Sequence, residues 1–371
     1  MALSRIQNNS YEDTAVHGVR NLIINGAMNV AQRGTSATAS NAAAYLTLDR
    51  WEYSYGTGTS NEFSTWTMSQ DSDAPSGFSN STKFICTTAA SAPSTLTAAL
   101  FQQKFEGQDL QQIQFAKSGA KTLTASFYIK SNKTGNIGVQ LFAQDDSTIN
   151  SQLVSINTAN TWEFKTVTFS PKTSGTEIPN DNTLGLRIRF VFEYNTGRAF
   201  GTSDTWAARQ QNSQLVPAGT SARVSTANDT FFITGVQLEV GDTATPFEHR
   251  SFGDELAKCQ RYYYYSGFGF NNPGGTDSGS TDYEGQIFSV HIGSNRHTFF
   301  GSFPVFLRGI PAVTFYSPHD GASANAENYT GGGNISISAS YSRSRQGLGG
   351  YSQTSTSGDT LRAYVEANAE L

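Results

Sequence analysis

Four carboxylates crowd a short stretch of this 371-residue chain: Glu239, Glu248, Asp254 and Glu255. Two carboxyls facing each other across a sugar are what a glycosidase needs, one as acid and one as base or nucleophile. These four straddle a strand end, a turn and a helix start. Asp254 and Glu255 are better explained as first-turn acids favoured by the helix dipole, and no catalysis is expected from the set. His17, His249, His291, His297 and His319 are scattered, without H-E-x-x-H or Cys/His ligand spacing. His291 and His297 flank a hairpin turn and could approach each other across strands, although a surface hairpin pair is the plainer reading. Asp71-Ser72-Asp73 opens like an acidic calcium loop, but Pro75 replaces the next ligand and no Glu follows at the required distance. There is no G-x-S-x-G elbow and no G-x-x-x-x-G-K-[ST] phosphate loop. No catalytic residue, metal or cofactor is expected.

Aromatic residues offer a different chemistry. Sugars stack on Trp and Tyr rings because their C–H faces are apolar, while their edges take hydrogen bonds. Trp51, Tyr53 and Tyr55 share one strand face and could form such a platform; a Leu-x-x-Trp strand equally reads as core. Tyr316, His319, Asp320 and Tyr329 lie in or beside C-terminal loops, where they are either ligand contacts or solvated loop residues.

The elements that must position these residues are strands. Only 15% of the chain is charged, and Gly, Ser, Thr and Asn are abundant, which fits β-strands separated by polar turns. Strands are expected at 22–30, 47–53, 62–69, 83–88, 94–105, 121–130, 138–143, 162–170, 184–193 and 230–240. In Leu123-Thr124-Ala125-Ser126-Phe127-Tyr128-Ile129-Lys130 the odd positions are apolar and the even ones mostly polar. Alternation of this kind gives one buried and one wet face, the mark of antiparallel sheets packed as a sandwich. The expectation is an all-β chain: an N-terminal arm (1–20), an antiparallel jelly-roll sandwich (21–250), a short linker helix (251–261) and a small C-terminal β-sandwich (262–371). The helix rests on Ser251 with an acid three residues on, and on Leu256, Cys259 and Tyr263 at helical spacing. In the C-terminal part, strands are expected at 286–292, 296–303, 304–308, 312–316, 334–341 and 361–366. Two long irregular segments, 34–45 and 196–228, are expected to be ordered by a neighbouring subunit.

Composition excludes several classes. The net charge of -5 argues against a nucleic-acid binder, which needs a basic face to replace phosphate counterions. No apolar run approaches the roughly 18–20 residues that span a bilayer. Residues 1–16 lack the apolar core of a signal peptide. Cys86 and Cys259 fall in different elements and read as two buried unpaired thiols.

GVQLEVGDTATPFEHRSFGDELAKCQRYYYYS, residues 235–266, resembles a segment recurring in tail-fibre-like structural proteins of tailed bacteriophages. Asn21-Leu22-Ile23-Ile24-Asn25-Gly26, Arg33-Gly34-Thr35, Leu48-Asp49-Arg50-Trp51 and the final Ala369-Glu370-Leu371 agree with it. So does the run from Phe303-Pro304 to Arg308 and Pro311. The resemblance implies a virion appendage with a carbohydrate-binding-module-type jelly roll and a small C-terminal β domain, made in the host cytoplasm. It implies a homotrimer, anchored to other virion proteins through residues 1–20, with residues 262–371 as a distal tip that adheres to host surface glycan. The rival role is a capsid-attached head fibre or decoration protein. Many such jelly rolls carry a structural calcium. Here Ala27-Met28-Asn29 and Thr234-Gly235-Val236-Gln237 depart from that pattern, and none is expected.

Overall fold

The computed structural model describes residues 20–39, 42–55, 62–95, 97–199, 201–209, 215–269, 272–276, 285–293, 296–330, 332–353 and 359–371. The expected anchoring arm lies outside them, Arg20 excepted.

The chain is all-β and antiparallel, as its alternation predicts. Among the described residues, twelve strands precede the α-helix: β1 (Ser36–Ala39), β2 (Trp51–Tyr55), β3 (Thr65–Asp71), β4 (Ser81–Thr88), β5 (Ala98–Glu106), β6 (Leu123–Ser131), β7 (Gly135–Ala143), β8 (Thr148–Ile156), β9 (Glu163–Phe169), β10 (Leu184–Tyr194), β11 (Ala207–Ala208) and β12 (Thr230–Val240). They form two six-stranded sheets, ordered β1-β3-β4-β12-β6-β9 and β11-β8-β7-β10-β5-β2. The odd residues Leu123, Ala125, Phe127 and Ile129 of β6 are buried and meet Leu186, Ile188, Phe190 and Phe192 of β10 from the facing sheet. The Phe127 and Phe190 rings pack edge to face, with centroids 4.9 Å apart. Each Leu, Ile and Phe in these rows contributes about 1.5–3 kcal/mol by leaving water, so one row of each sheet suffices to fix which face points inward.

Several expectations change. Residues 22–30 are not a strand, because Asn25 and Met28 take left-handed φ of 59° and 58° and fold the segment into turns. A Cβ on Gly26 would lie 2.2 Å from the Val236 carbonyl oxygen, so only glycine lets this segment lie on β12. Residues 304–308 are bends, not a strand. The segment 34–45 contains β1. In 196–228, Leu215 and Val216 pack with Leu100, Val191 and Tyr194 on the outer face of the second sheet, so the chain itself, not a neighbouring subunit, orders the described part.

The helix α1 (Phe252–Gln260) starts where Ser251 Oγ accepts from the Asp254 amide at 3.2 Å. Ser251→Ala is expected to cost about 1 kcal/mol in chemical denaturation; no measurable change would mean the helix is held by packing alone. Tyr263, at helical spacing from Leu256 and Cys259, lies past the helix and opens β13 (Tyr263–Tyr265). The remaining strands are β14 (Ile287–Gly293), β15 (Arg296–Ser302), β16 (Ala312–Tyr316), β17 (Asn325–Asn328), β18 (Asn334–Arg343), β19 (Gly347–Gln353) and β20 (Leu361–Asn368). Pairing runs from β20 through β14, β15, β19, β18 and β17 and back to β20, closing the sheet on itself around Phe299, Phe315, Leu361 and Val365. The last half of β20 is held by β13 and β16. Closure leaves fewer free edges to pair with other chains.

Candidate functional site

The motifs at residues 21–51, 235–265 and 369–371 converge on one junction. Asn21 N donates to Glu248 Oε2 at 2.7 Å, Asn25 N to Glu255 Oε1, and Ile24 N to Gln103 Oε1 at 2.8 Å. Gln32 Nε2 donates both to Asp49 and to the Tyr263 carbonyl. Glu370 sits between Arg33 and Arg50, whose guanidinium carbons lie 3.5 Å and 3.4 Å above the rings of Tyr263 and Tyr262. Lys104 Nζ donates to the Leu371 carbonyl at 2.6 Å. Arg261 grips the fully buried Glu106 carboxylate with two bonds, 2.9 and 2.8 Å. These residues fasten the C-terminal sheet to the sandwich.

The clustered carboxylates are thereby accounted for. Glu239 accepts from Gln237 and from Thr245 N and Oγ1 at 2.7–2.9 Å, and Asp254 is bonded to the capping Ser251. Glu248 and Glu255 hold the backbone of residues 21–25. Asp71 and Asp73, which open like a calcium loop, pair with Lys83 and Lys130. Cys86 and Cys259 are free and buried, and burial pushes both thiols up, Cys86 to about 11.

The aromatic platform is a correction. Trp51 and Tyr53 are both 0% exposed. Trp51 stacks on Phe101 at 4.5 Å and donates its indole N–H to the Asn25 carbonyl. Tyr55 is half-buried, edge-on to Phe63. At Trp51 and Tyr53 the inward face of β2 is core, so no sugar reaches those two rings. Of the C-terminal candidates, Tyr316 is tied through its hydroxyl to Glu366 at 2.6 Å. Asp320 accepts from Ala322 N and Asn334 Nδ2. His319 is exposed, and Tyr329, half exposed, lies under Arg362 at 4.9 Å. These four lie in or beside β16 and β17.

The outer face of the second sheet is occupied by its own side chains. Glu52, Gln102, Arg189, Gln140 and Ser151 are consecutive cross-strand neighbours over β2, β5, β10, β7 and β8. They bond in series at 2.5, 2.9, 2.9 and 2.7 Å. With Gln102 and Gln140 no more than 3% exposed, this row spends its hydrogen bonds internally.

An open surface is found on the C-terminal sheet. On β14 and β15 the alternation is reversed: Ser289, His297 and Phe299 face inward, while Phe288, Val290, Ile292 and Phe300 stand outward. Phe300 is 67% exposed. Opposite Thr298 lies Tyr351 of β19, with the Arg296 guanidinium 6.0 Å from its ring. Between them is a cavity of about 280 Å³ lined by Ile292, Arg296, Thr298, Phe300, Gly349 and Tyr351. A second, of about 430 Å³, lies across Phe300 toward Ser302, Ser344 and Gly347. Bare glycine backbone floors both, and Gly350 is required because a Cβ there would meet the Phe315 ring at 2.7 Å. The exposed Phe300 ring offers a stacking surface, and the Arg296 guanidinium and the Thr298, Ser302 and Ser344 hydroxyls offer hydrogen bonds. Sequence reasoning missed this face. Its only signal is the Phe288-x-Val290-x-Ile292 stripe, which ordinarily marks a buried face.

No protein-family profile and no curated protein matches the chain. Solved structures of similar fold include the enzymatically active domain of tailspike protein 4 from bacteriophage CBA120 (TM-score 0.32, 15% identity, 60% of this chain and 21% of that one). Others are the carbohydrate-binding module TmCBM61 with β-1,4-galactotriose (0.29, 9%, 60% and 99%) and a family 11 module from Clostridium thermocellum with a mixed-linked tetrasaccharide (0.28, 12%, 58% and 98%). The chain thus spans about a fifth of the tailspike domain's length. At such scores the likeness assigns neither ligand nor activity to this chain.

Proposed function

We propose that this chain is a non-enzymatic adhesion protein of a tailed-phage virion, a tail fibre or receptor-binding protein that holds host surface glycan. One observation carries the reading: the apolar stripe of β14 and β15 faces solvent, beside an aromatic and arginine-lined cavity. A sheet that turns Phe288, Val290, Ile292 and Phe300 away from its own core has that face covered by something else. The resemblance of residues 235–266 to phage appendage proteins supplies the setting. In this reading residues 1–20 anchor the chain to other virion proteins, 21–250 form the shoulder, 251–261 the linker and 262–371 the distal tip. Stacking on Phe300 and Tyr351, with hydrogen bonds from Arg296, Thr298 and Ser302, binds without covalent chemistry. His319, Asp320 and Tyr329 add contacts from beside β16 and β17. Assembly as a homotrimer lets three weak contacts act together.

Glycan-array binding by the purified chain, lost in Phe300→Ala and in Arg296→Ala, is the expected outcome. An array on which the intact chain binds nothing overturns adhesion, and light scattering at the mass of one chain overturns the trimer. Imaging of the particle is expected to place the chain on the tail; density on the head shell would replace the tail fibre by a head fibre or decoration protein, since the fold serves either.

A further inference from the structure

We propose that His291 and His297, on the inner side of the β14–β15 hairpin, form a binding site for a divalent transition-metal ion of the Zn²⁺ class. The two residues are directly opposed in register, and their ring centroids lie 5.0 Å apart with planes at 56°. A tetrahedral ion holding two imidazole nitrogens at about 2.0–2.1 Å would set the centroids roughly 5.2 Å apart. The hairpin therefore presents both rings near ligand spacing already.

The nitrogens of His297 are differentiated. Nδ1 lies 3.2 Å from Ser289 Oγ, whereas Nε2 is buried without a hydrogen-bond partner. A buried polar atom left unpaired costs free energy, and a metal at Nε2 would remove that cost. Ser289 would then act as an orienting group for the ligand ring. His297 is 0% exposed and His291 is exposed, so an ion can enter from the solvent side. Asp359, whose charge acts on His297, would offset that of the ion. Among the described residues no group of three His, Cys, Asp or Glu is gathered, so water would complete the coordination. The ion would fasten β14 to β15 beneath the exposed Phe288 and Phe300, on the side opposite the proposed adhesion surface, and its binding does not depend on that surface.

The test is calorimetric titration of the metal-free, untagged full chain with Zn²⁺, alongside thermal melting. One saturable ion per chain and a raised Tm are expected. His291→Ala, a change at an exposed position, should abolish the saturable uptake, and Ser289→Ala should weaken it by about tenfold. His319→Ala should leave it unchanged. Absence of saturable uptake by the intact chain, or uptake that survives His291→Ala at full affinity, overturns the site.

Discussion

Glu370→Ala is expected to destabilise the chain by about 3–5 kcal/mol, the cost of removing one partner from a buried ion pair. The Glu370 side chain is 5% exposed, Arg50 1% and Arg33 8%. Arg50 keeps a bond to the Lys104 carbonyl and its place over Tyr262, but without Glu370 two guanidiniums lie buried with Asp49, among the described residues, as the one carboxylate bonded to either. Chemical denaturation checks the magnitude. Separation of the single transition into two would add that the sandwich and the C-terminal sheet are coupled through this residue. A loss under about 1 kcal/mol, the worth of an exposed pair, would show that the junction is solvated and that Glu370 has another role.

The second large effect follows pH. Burial raises the Asp49 carboxyl to about 6, against the opposing pull of Arg33 and a hydrogen bond from Gln32, with Glu370 adding to the rise. A carboxyl whose folded value lies above its unfolded one gives stability that is full below the unfolded value near 3.8 and is lost as pH rises through about 6. The span corresponds to about 3 kcal/mol. Stability of the wild type is therefore expected to fall relative to Asp49→Asn between pH 4 and 7. Asp73, Asp181 and Asp320, held low mainly by hydrogen bonds, act in the opposite sense but at lower pH. Parallel profiles for wild type and Asp49→Asn across that window would contradict the buried, partly neutral Asp49.

Strand alternation made the sandwich legible, because in β6 and β10 the apolar rows are unbroken and bury against each other. It failed where backbone conformation overrides side-chain pattern. Residues 22–30 are apolar enough to read as a strand, yet Asn25 and Met28 turn left-handed. The Gly-Leu-Gly-Gly-Tyr-Ser-Gln run of β19 looks like a loop, and is a strand because its glycine makes room for Phe315. Trp51 illustrates the limit for sites: an aromatic on an alternating strand reads the same whether its face is core or platform. The reverse error hid Phe288, Val290 and Ile292. Period two says that the faces of a strand differ; which one is inward depends on β15 and β20, supplied from elsewhere in the chain. The Arg50–Glu370 contact spans 320 residues, so the motifs were visible in sequence while their meeting was not.

Hydrogen–deuterium exchange of the intact chain with and without host surface polysaccharide tests the adhesion surface most directly. Added protection is predicted along Ile287–Gly293, Arg296–Ser302 and Gly347–Gln353, with none on the strands that carry Gln102, Arg189 and Gln140. Protection confined to those sandwich strands, or no change anywhere at saturating polysaccharide, would contradict it.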